Sequence, residues 1–174
     1  MNLGYFAHSE FICQTQAMDT KNIRRNSPIP LAKCGVFYAA DLIGDKWTLL
    51  ILREAFYGVV RFDDIRSDLG IPRAVLTARL KRLVESSIMN REPYREGSNR
   101  TRYSYSLTEQ GAALAPVVIA LMQWGDEYLR EDEPSVSLVH REKGNKLKVA
   151  IVSEKSKSLS INDIAIKINN TEGA

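Results

Sequence analysis

The sequence predicts a mainly α fold with one small β-hairpin, an α+β domain trailed by a small C-terminal β appendage. Three observations carry this expectation. Apolar residues recur at helical spacing from about residue 34 to 86 and again from 114 to 128. Two strand-like segments, about 89–95 and 101–107, flank the turn formers Gly97-Ser98-Asn99. The length, 174 residues, suits one folded domain with tails.

Residues 1–33 read as an N-terminal tail. Asn26-Ser27-Pro28-Ile29-Pro30 is linker chemistry, its two prolines barring a helix, and Met18 within the tail is a candidate translation start. From Cys34 the pattern turns helical, with Val36, Phe37, Ala40 and Ile43 on one stripe. Asp45 then stands as an N-cap before the dense apolar run Lys46–Phe56, predicting a buried helix ended near Gly58. A third, short helix turns Phe62, Ile65 and Leu69 inward and Asp63, Asp64, Arg66 and Asp68 outward.

Gly70-Ile71-Pro72 makes a tight turn into a fourth helix, about Arg73 to Ser86. Leu76, Leu80 and Leu83 share one face of it, while Arg73, Ala74, Thr77, Ala78, Lys81 and Arg82 occupy the other. Two helices joined by three turn residues, the second with small and basic residues outward, form a helix-turn-helix. The hairpin that follows, with Tyr103, Tyr105 and Leu107 alternating against polar neighbours, is then a wing. Thr108 caps a last helix running to about Arg130, with Pro116 as a kink or late start and Leu114, Val117, Val118, Leu121, Trp124 and Tyr128 along one stripe. That stripe either meets a partner subunit or covers its own domain. Beyond 131, Val136–Val139, Leu147–Val152 and Ile164–Ile168 are short strand candidates.

Composition narrows the function classes. The chain is 44% apolar and 26% charged, which excludes the strongly charged disordered class. Two cysteines (Cys13, Cys34) and two histidines (His8, His140) lack the paired spacing of a zinc site or a disulfide framework, so no metal and no cofactor are expected. No Gly-rich phosphate loop or paired nucleophile and base is present, which argues against an enzyme. With neither a signal peptide nor an apolar run long enough to span a bilayer, the expected location is the cytoplasm, away from membranes. The net charge of +3 is unevenly spread: residues 73–103 hold eight basic against three acidic side chains, a local +5 against −2 elsewhere.

Cys34-Gly35-Val36, the run Leu42-Ile43-Gly44-Asp45-Lys46-Trp47-Thr48-Leu49 to Glu54, Arg61-Phe62, Gly70-Ile71, Leu76-Thr77-Ala78-Arg79-Leu80, Leu107-Thr108 with Gly111, and Trp124 together resemble the HxlR family of bacterial winged-helix transcription regulators. The resemblance covers about residues 34–130. It implies a homodimeric double-stranded-DNA-binding repressor or activator whose first and last helices build the dimer interface, here through Val36, Phe37, Leu114, Val118, Leu121, Trp124 and Tyr128. It also implies that Trp47 is a core residue. Two departures stand out. The wing tip reads Gly97-Ser98-Asn99-Arg100-Thr101-Arg102, more basic than the family's proline-bearing tip. Residues 131–174 resemble a zinc-ribbon extension of longer members, but lysine or valine stands at 143, 152 and 155 where those carry cysteines, so a ribbon without metal is expected.

The residues expected to meet DNA are Arg73, Ala74 and Thr77 with Ala78 at base edges, and Lys81, Arg82, Arg95, Arg100 and Arg102 at phosphates or the minor groove. Two recognition helices would sit about 34–36 Å apart on a pseudo-palindrome. A winged-helix protein-interaction module without DNA binding is the alternative. Cys34, at a predicted helix start where unpaired N–H groups favour a thiolate, is a candidate redox sensor or else a small buried core residue. A small-molecule or redox effector fits either regulator reading.

Overall fold

In the computed structural model the described residues are 30–95, 101–150 and, as backbone only, 164–168. The chain divides into two units, Met1–Leu42 and Ile43–Ala174. In the first, a 3-10 turn at Leu31–Lys33 leads into α1 (Gly35–Ile43). The Tyr38 hydroxyl donates to the Ala32 carbonyl at 2.8 Å, tying the turn to the helix. Val36, Phe37 and Tyr38 are exposed.

The second unit continues with α2 (Lys46–Phe56), α3 (Phe62–Leu69), α4 (Arg73–Glu85), β1 (Met89–Tyr94), β2 (Arg102–Leu107), α5 (Glu109–Ala112), α6 (Ala115–Tyr128), β3 (Val136–His140) and β4 (Ile164–Ile168). The Asp45 carboxylate accepts from the Trp47 and Thr48 N–H groups, the N-cap expected of it. At the other end of α2, Val59 N–H reaches the Glu54 carbonyl (3.0 Å) and Gly58 N–H the Ala55 carbonyl (3.1 Å), a Schellman close in which Gly58 supplies φ +84°. α4 ends the same way, through Ile88 N–H to Leu83 and Ser87 N–H to Val84, but with Ser87 rather than glycine in the left-handed region at φ +58°.

The core is built where the periodicity placed it. Ile51 and Leu52 of α2, Ile65 of α3, and Leu76, Leu80 and Leu83 of α4 are fully buried, joined by Ile71, Ile88 and Met89. Truncating one such leucine to alanine costs about 2–5 kcal/mol. Trp47, expected in the core, is only half-buried, with the Lys46 ammonium 5.1 Å from its ring.

β1 and β2 pair antiparallel from Met89 opposite Leu107 to Tyr94 opposite Arg102. The outer edge of β2 is closed by residues 60–61: Tyr105 N–H donates to the Val60 carbonyl at 2.7 Å, and Arg61 bridges Ser104. The tip, including Arg100, lies outside the described residues.

Of the two readings of Pro116, a kink or a late start, the structure has the late start: Pro116, which lacks an N–H, suits only the first turn of a helix, and α6 begins at Ala115. Thr108 instead caps the short α5, accepting from Gly111 N–H at 3.0 Å while its hydroxyl donates to the Ser87 carbonyl at 2.7 Å. A Cβ on Gly111 would fall 2.1 Å from the Ile88 carbonyl oxygen, so only glycine lets α5 approach the hairpin this closely. In the appendage, β3 pairs antiparallel with β4, Val136 opposite Ile168, and Val139 also bridges Lys146. Of the strand candidate Leu147–Val152, residues 147–150 form no strand, and 151–152 lie outside the described residues. Leu147 N–H still reaches the Leu138 carbonyl, and the Gln123 side chain of α6 clasps the segment, donating to the Leu147 carbonyl (2.8 Å) and accepting from Val149 N–H (2.9 Å).

Candidate nucleic-acid interface

Gly70 closes α3 in the left-handed region at φ +59°, and Pro72 stands as the residue just before α4. With Leu76, Leu80 and Leu83 buried, the opposite face of α4 is left open: Arg73, Ala74, Thr77, Ala78, Lys81 and Arg82 are all exposed. The Arg73 guanidinium lies 5.3 Å from the Phe62 ring centroid, so the ring holds the cation at the helix start, with no carboxylate paired to it among the described residues. Thr77 donates its hydroxyl to the Arg73 carbonyl at 2.9 Å, which occupies its proton within the helix. Lys81 is 3.6 Å from Glu85 in a solvent-exposed pair, a contact weak enough to exchange for a phosphate.

Arg79, on the same helix, is turned aside. Its Nε donates to the Asp45 carboxylate at 2.9 Å, joining α4 to the N-terminus of α2. Burial pushes the Asp45 carboxyl up, but the hydrogen bonds from Thr48 and Arg79 outweigh it and hold the group below the ordinary aspartate range. Toward the other end of α2, the buried Glu54 pairs with Arg53 at 2.9 Å; burial nonetheless raises its carboxyl, with Arg53 opposing and Asp68 adding to the rise.

On the hairpin, Arg95 is exposed, and Arg102 lies 3.9 Å from Asp63 of α3 in a loose ion pair. Sequence reasoning passed over two more cations. Arg91 sits 3.5 Å from the Tyr103 ring centroid and Arg61 5.3 Å from that of Tyr94. The strand register carries the signal for the first, since Arg91 opposes Tyr105 and Tyr103 is its diagonal neighbour on the same face. Cys34 precedes α1, half-exposed and free rather than buried in a core.

Of the six residues on the apolar stripe expected along the last helix, four face outward. Val117, Leu121, Trp124 and Tyr128 are the exposed ones, at 44, 48, 53 and 50%, whereas Leu114 and Val118 are half-buried within their own unit. Among the described residues no group of His, Cys, Asp and Glu is arranged to hold a metal ion, and no helix is long and apolar enough to cross a membrane.

The profile of the HxlR-like helix-turn-helix family matches residues 42–133, more than half of the chain. The chain belongs to that family. Its fold is a winged helix, with α3 and α4 as the helix-turn-helix and β1–β2 as the wing. Among HxlR-like relatives, uncharacterized HTH-type transcriptional regulators of Mycobacterium bovis and Mycobacterium tuberculosis are 50% identical over 103 residues, 59% of this chain. The match spans 64% of those relatives' length. An uncharacterized HTH-type transcriptional regulator of Synechocystis is 35% identical over 113 residues, 64% of this chain and 82% of its own. The solved structure of PA1607, described as a candidate transcription factor, is 38% identical with a TM-score of 0.63, covering 76% of this chain and 92% of the other.

Proposed function

We propose that this chain is a cytoplasmic transcriptional regulator, not an enzyme, that binds a pseudo-palindromic double-stranded DNA operator as a homodimer. The observation that carries the reading is the open face of α4: six outward side chains, three of them cationic, beside a wing bearing Arg91, Arg95 and Arg102. A major groove admits one helix, and its first residues reach base edges first, which assigns Arg73, Ala74, Thr77 and Ala78 to readout. Lys81, Arg82, Arg95, Arg100 and Arg102 are assigned to the backbone, where cations position without specifying. The relatives' names point to the same class of activity.

The homodimer reading rests on α6, whose outward apolar side chains suit an isologous interface. Val36 and Phe37 of α1, exposed at 75 and 45%, are assigned to the same interface, with Leu114 and Val118 as its half-buried support. A gel-shift titration on the upstream region of the chain's own gene, repeated over a salt series, tests DNA binding. The expected result is affinity falling steeply with salt and random DNA binding more weakly. Binding absent at 50 mM salt returns the fold to a protein-interaction role. Cys34 is assigned a sensing role through its half-exposed thiol, so diamide treatment is expected to change operator affinity, and unchanged affinity removes the role. The appendage is assigned as a ribbon that works without zinc, which stoichiometric zinc in a metal analysis of the purified protein contradicts.

A further inference from the structure

The second unit contains a cavity of about 950 Å³ between α2, α6 and the start of the appendage. Leu50 and Phe56 of α2, Val118, Ile119 and Met122 of α6, and Leu138 of β3 form its apolar walls. Its volume lies at the upper end of the range of about 300–1,000 Å³ usual for small-molecule sites. The charges on its lining are one-sided: Arg53, Arg130 and Arg141 against a single acid, Asp126.

The three arginines are not equivalent. Arg53 is paired with Glu54 at 2.9 Å and lies 5.0 Å from the Tyr57 ring centroid. Arg130 is held by Asp126 at 3.2 Å and by Asp132, which raises its already high pKa further. Arg141 is exposed and has no ion pair among the described residues. An apolar cavity bordered by a guanidinium that has no ion pair among the described residues is complementary to a molecule with an apolar body and one carboxylate. The body takes hydrocarbon surface out of water, and the fork of the guanidinium matches a carboxylate with two parallel hydrogen bonds.

We propose that this cavity binds an amphipathic monocarboxylate, its hydrocarbon chain against α2, α6 and β3 and its carboxylate on Arg141. One wall belongs to the appendage, whose segment 147–149 is clasped onto α6 by Gln123, so an occupant bridges the winged-helix body and the appendage. The site does not depend on DNA, and its test contains none.

Calorimetric titration of the full chain with decanoate, 1-decanol and decyltrimethylammonium, each kept below its aggregation concentration, reads the proposal directly. Decanoate is expected to bind one per chain, with the alcohol and the cation at least about tenfold weaker, the usual effect of one charge-assisted contact. Arg141→Gln, a change on the exposed side of the cavity, is expected to weaken decanoate about tenfold and leave the alcohol within about twofold. Ile119→Trp narrows the cavity at the wall assigned to the hydrocarbon chain and is expected to weaken binding of both at least about tenfold; if it fails to melt cooperatively, Val136→Trp on the appendage side replaces it. A titration with no saturable decanoate binding overturns the proposal. So does equal binding of the cation, or an Arg141→Gln protein that binds decanoate as the parent does. An occupant from elsewhere, whether a second copy or residues 151–163 of the same chain, gives the first of those results.

Discussion

α4 and α6 each turn one face away from their own unit, and the two faces are opposite in kind. α4 exposes three cations, a threonine and two alanines, whereas α6 exposes Val117, Leu121, Trp124 and Tyr128. A helix face of cations and small side chains is well solvated alone and gains most from a polyanion it can approach closely. Four large apolar side chains along about three helical turns remain in contact with water unless a like surface covers them. Both helices send their other side into the same unit, so the chain's core does not explain either face. The role proposed for one is DNA binding and for the other contact with a second copy, and each substitution below separates those roles.

The largest effect is expected from Trp124→Glu. Trp124 and Tyr128 lie with ring centroids 5.8 Å apart in the C-terminal half of the exposed stripe, and aromatic anchors concentrate binding energy. A charge there should weaken self-association at least about 100-fold in sedimentation equilibrium, the outcome of losing about 3 kcal/mol. Affinity for a full palindrome should fall with it, while a single half-site is bound as before. Because the side chain is half-exposed, the melting temperature at low concentration should change little. An unchanged mass in solution assigns the apolar face to something other than a second copy.

Next in size are two changes on α4. Arg73→Ala removes a cation placed at the helix start by Phe62 and should cost about 1–3 kcal/mol on the specific site, relaxing discrimination at one base pair. Competition binding against random DNA measures it; equal losses on both would contradict base readout. Lys81→Ala should instead weaken all sequences alike and reduce the salt slope by about one unit. A sequence-dependent loss at Lys81 would reverse the division of labour along the helix.

Much of this contrast was readable from the residues alone. Leucines at 76, 80 and 83 fix which side of α4 is inward, and with that side fixed the cations have one place to go. The face of α6 was harder. Apolar residues occur on both of its sides, Val118, Ile119 and Met122 at the cavity, Val117 and Trp124 outside, and Leu121 both exposed and on the cavity lining, so periodicity gives a broad stripe without its boundary. Pro116 marked a break that resets the helix, and its consequence for register depends on packing rather than on local pattern. In the appendage, β3 pairs across more than twenty intervening residues with β4, a long-range choice that strand propensity cannot make. The Asp45–Arg79 contact joins residues 34 apart and had no local signal beyond the N-cap.

That contact gives the smallest expected effect. Asp45→Asn keeps an oxygen to cap α2, so the helix start is preserved while the charge on Arg79 loses its partner. Both side chains are about one-third exposed, at 33 and 35%, and solvent screening limits the loss to about 0.5–1 kcal/mol at neutral pH. The sign with pH follows from the lowered carboxyl: the folded form holds the proton less tightly than the unfolded chain, whose aspartates titrate near about pH 3.9. The stabilisation is therefore complete above that range and is lost as pH falls through the lowered folded value. Urea melts at pH 7 and pH 3 should show Asp45→Asn less stable than the parent at pH 7, with the gap narrowed at pH 3. A gap that stays constant shows that Arg79 is held by packing and not by charge. α4 would then keep its orientation beside α2 without the carboxylate, and its open face would be set by the buried leucines alone.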